Sequence, residues 1–393
     1  MIEPSSKDLR MVRTAAFAGL LASAICLGWL YLNTHYLRHD NWTSVFYTGA
    51  RMPMPAELAN ENIYLYPGVV GYDAQFYHLI AHDPLFRKRF ARFIDDPRFR
   101  YRRILVPGLA ALLSFGHSNW VDPAYIAVVL GFVFLGTFWL TRWSMSHGLS
   151  PAWGLLFLVV PASLVTMLLM IVDGALAALT VGAIWYAERD DKVRLFLVLA
   201  CAALVRESGV LLIAGYCVWL LVQRRPWLAL GFGTAAIPLF LWLRFVQLHT
   251  AGDAKAMISA VPFAGLYGAV VGHWTYQQPI LVALDFVAMA GMLLAFAFAV
   301  YYLVRRETKS PAAFMVAGFL LLGIFVSDAA AVWPEVNSFG RVFTPVLLFV
   351  AMTGLLRGNW WTLAPIALVD LRIGAIFLYH AGGIAHAMVG GRS

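Results

Sequence analysis

The chain has 393 residues, 61% of them hydrophobic and only 13% charged, so a soluble globule would lack the polar side chains to cover its surface. The formal charge of +8 does not point to a nucleic-acid partner, because most Lys and Arg sit in short connections between apolar runs, where the positive-inside bias puts them. Cys26, Cys201 and Cys217 lie inside apolar segments without paired spacing, which fits small buried hydrophobes better than a disulfide or zinc framework.

Lys7, Arg10 and Arg13 precede an apolar run over 14–32 that is long enough to cross a bilayer and is followed by no small-residue cleavage site. It reads as an uncleaved signal anchor with a cytoplasmic N-terminus, which puts the next region outside. That region, 33–121, is the longest polar stretch and contains GYDAQFYHLIAHDP from Gly71 to Pro84. Tyr72, Phe76, Leu79 and Ile80 repeat at i, i+4, i+7 and i+8, which predicts a short helix lying on the membrane surface with Asp73 at its start, facing water. Segment 104–116 is apolar but short and holds Pro107, so it reads as re-entrant or interfacial. Treating it as non-spanning keeps Arg142, 189–194, Arg224, Arg225, 305–309 and Arg357 on the cytoplasmic side.

Further apolar segments run over 122–141, 151–171, 172–187, 193–205, 207–222, 226–245, 280–304, 311–327, 341–356 and 360–378. With the anchor they make about eleven spans, in a range of roughly ten to thirteen. The expected fold is all-α: a polytopic transmembrane helical bundle over 1–393, with short interfacial helices in its first extracytoplasmic loop. Two later outside loops are expected at 246–279 and 328–340.

Ionisable groups at membrane depth are costly, so each is a functional candidate until a structural partner is found. In this topology Asp173, Arg206, Glu207, Asp328, Glu335 and Arg341 fall at outside helix ends, beneath the loop that carries Asp73. One acid surrounded by arginines suits a substrate bearing phosphate, since guanidinium recognises phosphate oxygens through paired donors. Plainer readings stand beside this one: Asp73 and Asp173 as helix caps, and Arg206 with Glu207 as a buried structural pair. His78 and His82, at i and i+4, have no third ligand at matching spacing and read as surface histidines. Asp95, Asp96 and Pro97 resemble a turn, 98–103 a solvated or headgroup-facing basic surface, and Asp370 and Arg372 have no assigned role. No Walker loop, dinucleotide glycine pattern or Gly-x-Ser-x-Gly elbow occurs in a suitable context, which disfavours ATP and NAD chemistry.

Gly71, Tyr72, Asp73, Gln75, Phe76 and Tyr77, followed by Tyr101, Arg102, Arg103, Ile104, Leu105 and Pro107, resemble the first loop of bacterial GT-C superfamily glycosyltransferases. The Leu204, Arg206, Glu207, Ser208 junction and Gly340–Arg341 ahead of Pro345 are similar to later elements of such enzymes; Ala74 replaces the usual glycine. The resemblance implies transfer of a sugar from a polyprenyl-phosphate donor to a lipid, glycan or protein acceptor at the outer face of a bacterial inner membrane, usually with inversion. It makes Asp73 the catalytic base and Arg206 and Arg341, with Arg102 or Arg103, the holders of the donor phosphate. Tyr72, Gln75, Tyr77, Asp173, Glu207 and Glu335 become supporting or substrate-binding residues, and Asp83 the candidate second acid. No cofactor or metal ligand is assigned, and a divalent ion stays open. The rival readings are a lipid or lipid-linked sugar flippase and a non-catalytic membrane assembly subunit.

Overall fold

Long runs of Leu, Ala, Val and Phe punctuated by Pro, Gly and basic pairs dictate helices. The computed structural model, which describes residues 6–251, 257–272, 278–305, 310–327 and 331–390, is all-helical. Among the described residues, strand pairing is limited to isolated bridges: Thr48 with Gly71, Gly49 with Tyr66, and Ile258 with Val326. Helix α1 (Ser6–Leu37) leads into a loop region that holds α2 (Asp73–His82), α3 (Pro97–Arg100) and α4 (Leu105–Leu113). There follow α5 (Val121–Ser146), a 3-10 segment Pro151–Val159 bent against α6 (Pro161–Leu169), α7 (Asp173–Glu188), α8 (Lys192–Val205) and α9 (Val210–Val222). The chain continues through α10 (Pro226–Gly233), α11 (Ile237–His249), α12 (Ala264–Gly272), α13 (Pro279–Val304) and α14 (Pro311–Phe325). It ends with α15 (Val336–Val342), α16 (Thr344–Leu356) and α17 (Ala364–Gly390).

Most of the long helices fall on the expected apolar segments, whereas α12 lies within 246–279 and α15 begins within 328–340, both expected as loops; local chemistry starts several of the helices. Ser310 and Asp191 cap α14 and α8, each side chain accepting from a backbone N–H of the first turn, and Pro311 takes a first-turn position whose N–H needs no partner. α7 sits at the centre, buried along nearly its whole length. Close helix approach relies on small residues: a Cβ on Gly215 of α9 would run into the Phe314 and Met315 backbone of α14, and one on Gly136 of α5 into the Phe157 ring.

Five helices are long and apolar enough to cross a membrane: Asp8–Leu37, Ser118–Ser146, Pro226–His249, Pro279–Val304 and Trp360–Gly390. The count rises to seven if each bent pair is one span, Pro151–Val159 with α6 (53°) and α15 with α16 (56°). Such helices are compatible with a multi-pass membrane protein. The expected count of about eleven is higher because it also includes α7, α8, α9 and α14, which at 1.5 Å per residue are roughly 20–24 Å long, short of a hydrocarbon core of about 30 Å.

The loop region departs from expectation in one respect. Every residue from Ala74 to His82 of α2 is buried, so the helix is enclosed by protein and does not lie on a membrane surface. Its non-apolar side chains find protein partners instead of water. Gln75 donates to the Val70 carbonyl (2.8 Å) and accepts from the Gly49 N–H (3.2 Å), which ties the preceding loop onto the helix. Gly71 has a φ of +82°, and a Cβ there would meet the Gln75 side chain, so glycine is required at the turn into α2. α4 covers 104–116 only in part and has nine residues, about 14 Å, with Pro107 in its first turn.

Candidate functional site

Helix ends bring the charges together. Asp73 and Asp173 occupy the first turns of α2 and α7, where the helix dipole favours an anion. Arg206 is the C-cap of α8, and Arg341 lies in the last turn of α15, where the dipole favours a cation. The two carboxylates and two guanidiniums meet in one network. Arg341 donates from Nη2 to Asp73 Oδ2 (2.8 Å) and from Nη1 to Asp173 Oδ2 (3.4 Å), while Arg206 Nη1 donates to Asp173 Oδ1. Arg341 Nε, also buried, has no hydrogen-bond partner.

The turn after α2 supplies the rest. Asp96 caps α3 by accepting from the Phe99 N–H (3.0 Å), with Pro97 in the first turn, so the acidic pair read as a turn is the start of this short helix. Arg100, at its end, donates to Asp73 Oδ1 (2.7 Å) and makes a two-point pair with Asp95 (2.9 and 2.7 Å). Arg103, three residues on, donates to the Tyr77 hydroxyl (2.6 Å) and reaches Glu207 (3.3 and 3.4 Å). Tyr72 donates to Glu335 Oε2 (3.4 Å), and Arg341 lies over the Tyr72 ring.

Several expectations are corrected. The site is not one acid among arginines: Asp73, Asp95, Asp173 and Glu207 alternate with Arg100, Arg103, Arg206 and Arg341, so the network is close to neutral. Arg102 takes no part among the described residues. Its place is taken by Arg100, because the turn of α3 puts positions 100 and 103 on the Asp73 side. Gln75 anchors the loop and does not face the charges. Asp73 does not face open water, since both oxygens are held by arginines. Asp83 lies at the opposite end of α2, where its carboxylate accepts from the Phe90 N–H (3.1 Å) and its carbonyl from the Tyr101 hydroxyl (2.9 Å). His78 and His82 are buried, 1% and 5% exposed, and are not surface histidines. Arg372, without a role in the sequence, pairs with Asp285 of α13 (2.9 Å). Asp328 lies outside the described residues.

Electrostatics follow from the geometry. Burial pushes the Asp73 carboxyl up, but Arg341, Arg100 and Arg103 together outweigh it and hold the group well below the usual carboxylate range. Arg100 rises despite its own burial, because Asp95 and Asp73 stabilise its charge. Burial, with Glu335 and Asp73 adding to it against Arg341, pushes the Tyr72 hydroxyl up to about 12, so it remains a neutral donor.

An apolar groove of about 430 Å³ is lined by Leu85, Ile104, Leu204, Pro238, Leu241, Trp242 and Phe245. A second of about 380 Å³ continues it along α4 and shares Leu85, Ile104 and Trp242. Ile104 directly follows Arg103, and Leu204 stands two residues before Arg206. Trp242 of α11 donates its indole N–H to the Tyr101 carbonyl (2.6 Å), latching the groove wall to the turn that carries Arg100 and Arg103. The cluster therefore combines four acids with four guanidiniums, and the apolar groove lies among residues close to Arg103 and Arg206 in sequence. Neither family profiles, curated proteins nor solved structures give a match to this chain.

Proposed function

We propose that the protein is an integral membrane glycosyltransferase that moves a sugar from a polyprenyl-phosphate donor to a hydroxyl-bearing lipid, glycan or protein acceptor, with Asp73 as the base. The observation that carries this reading is the Asp73–Arg100–Arg341 network, supported by an apolar groove whose lining residues Ile104 and Leu204 are close in sequence to Arg103 and Arg206. A prenyl chain matches the groove and a phosphate matches the guanidiniums.

The near-neutral network supports a specific sequence of events. With both oxygens held by arginines, Asp73 is ionised but a weak base. An arriving phosphate competes for Arg341, whose buried Nε is free to donate, and for Arg100. As these cations turn to the phosphate, Asp73 loses its stabilising partners and its basicity rises. The acceptor O–H proton then passes to Asp73 as the acceptor oxygen bonds to the anomeric carbon. The bond from that carbon to the phosphate oxygen breaks, and its electron pair leaves with the phosphate, where the guanidiniums stabilise the new charge. A single displacement of this kind inverts the anomeric centre.

The same reading carries a topology: a bacterial inner membrane, an N-terminus in the cytoplasm, and about eleven membrane-crossing segments including short, protein-enclosed ones. Two groups of helix ends support the alternation. Asp73, Asp173, Arg206 and Arg341 gather at one end, whereas Trp143, Glu188, Ser310 and Arg357 line a cavity of about 210 Å³ with basic connections beside it. The test is a transfer assay in detergent with a polyprenyl-phosphate sugar. Covalent product that disappears in Asp73→Asn supports the reading, and lipid movement without covalent change would replace it with the flippase.

A further inference from the structure

The far end of α2 holds a second cluster that the transfer reaction does not use. His78 and His82 project from one face of the helix, Glu61 comes from the loop before it, and Asp122 from the start of α5. Nε2 of His78 lies 3.1 Å from Nε2 of His82 and 2.6 Å from Asp122 Oδ1. Nε2 of His82 lies 3.4 Å from Glu61 Oε2 and 3.8 Å from Asp122 Oδ1. Three potential ligand atoms, one each from Glu61, His78 and His82, lie within 4.8 Å of one another, and Asp122 holds His78 from the side. In a tetrahedral site with bonds of about 2.0–2.1 Å, neighbouring ligand atoms are about 3.3 Å apart, close to the 3.1 Å between the two imidazole nitrogens and the 3.4 Å between His82 and Glu61.

Proton bookkeeping separates a cation site from an ordinary hydrogen-bond cluster. Ser118 Oγ has one proton and sits between Glu61 Oε1 and His82 Nδ1 (3.1 Å). The carboxylate cannot donate, so the hydroxyl gives its proton to Glu61 and accepts from Nδ1–H of His82. That fixes the His82 tautomer and leaves a lone pair on its Nε2. With both imidazoles neutral, the only proton then available to the central space is one on His78 Nε2, and the Asp122 oxygen at 2.6 Å takes it. The lone pair of His82 and the carboxylate of Glu61 are left facing each other with nothing between them. Buried acceptors that converge in this way call for a positive centre.

We infer that Glu61, His78 and His82, with Asp122 beside His78, form a site for a divalent transition cation of the zinc class. Two imidazoles with a carboxylate are a donor set for such an ion, and they disfavour magnesium and calcium, which take oxygen ligands. Both imidazoles are buried, and a cavity of about 200 Å³ lined by His82 and Ser118 adjoins them, which leaves room for a fourth ligand. Outer supports are present: Ser118 orients both His82 and Glu61, and the Phe46 ring stacks on His78 at 4.1 Å. The ion would join the 3-10 turn Ala56–Glu61 to α2, which His78 ties to Asp122 of α5, and would act on Asp73 only by holding the helix that carries it. The inference stands apart from the transferase reading.

The test uses the full-length protein purified in detergent, with metal content measured by mass spectrometry. About one zinc per chain is expected in the wild type, and little in a His78→Ala/His82→Ala double variant. Should the double variant fail to fold, the chelated wild type decides: added Zn2+ raises its thermal midpoint and Co2+ gives the intense visible bands of tetrahedral coordination, whereas Mg2+ does neither. Ser118→Ala should weaken zinc binding by about 10–100-fold. Zinc retained in full by the double variant would overturn the site. So would a chelated wild type whose midpoint and Co2+ spectrum do not respond to metal.

Discussion

At the start of α2 Asp73 is gripped by Arg100 and Arg341, and in its second half, about 8 and about 13 Å along the axis, His78 and His82 face Asp122 and Glu61. Both clusters are buried, yet they balance charge differently. The first contains its own cations, so every acid has a guanidinium, and Arg341 Nε is left over to donate to a ligand. The second contains no arginine or lysine among its ligand atoms, and its lone pairs converge. A self-balanced network can exchange an internal partner for an arriving anion, which suits turnover. An acceptor-only cluster has nothing to exchange and suits a resident ion.

The sharpest way to break this contrast is Asp73→Asn. Loss of the base should lower transfer by about 10²–10⁴-fold while zinc content stays at the wild-type level, and parallel loss of both would mean that the two ends are one site. Next comes Arg206→Ala, which leaves Asp173 buried beside a single, more distant arginine. A loss of about 3–5 kcal/mol is expected in denaturant or thermal unfolding, with partial recovery in Arg206→Lys. If the variant unfolds no earlier than wild type, the pair carries no structural load.

Acid provides a third discriminator. The folded Asp73 carboxyl is held below its unfolded value, so its contribution to stability is complete above about pH 3.9 and is lost only as pH falls from there toward the folded value. The gap in thermal midpoint between wild type and Asp73→Asn should therefore stay constant from about pH 8 to about pH 5 and shrink below about pH 4. A gap that closes near neutrality would show that the arginines do not hold the carboxylate. The smallest effect is expected from Trp242→Phe, which removes one hydrogen bond worth about 0.5–1.5 kcal/mol and should leave zinc content unchanged.

The two ends also differ in how far the sequence reveals them. Asp73 stands out because an acid between aromatics is conspicuous in so apolar a chain, and Arg206 and Arg341 because they interrupt apolar runs. Helix positions are legible for the same reason. Choosing Arg102 over Arg100 is a phase error: six residues rich in arginine say nothing of which face a one-turn helix will present. The histidine pair was visible at i and i+4, but its partners were not. Glu61 lies in a loop without periodicity, and Asp122 reads as the first residue of a span, so only folding brings them within reach. Likewise α2 has the stripe of a surface helix, and its burial follows from Gln75, His78 and His82 finding protein partners that no spacing rule records.

The indole of Trp242 gives the groove a mechanical aspect. Because its N–H is bonded to the Tyr101 carbonyl, the groove wall and the arginine-bearing turn form one lever. On the proposed reading, a prenyl chain seated between α4 and α11 would bear on the wall that this bond ties to the turn carrying Arg100 and Arg103.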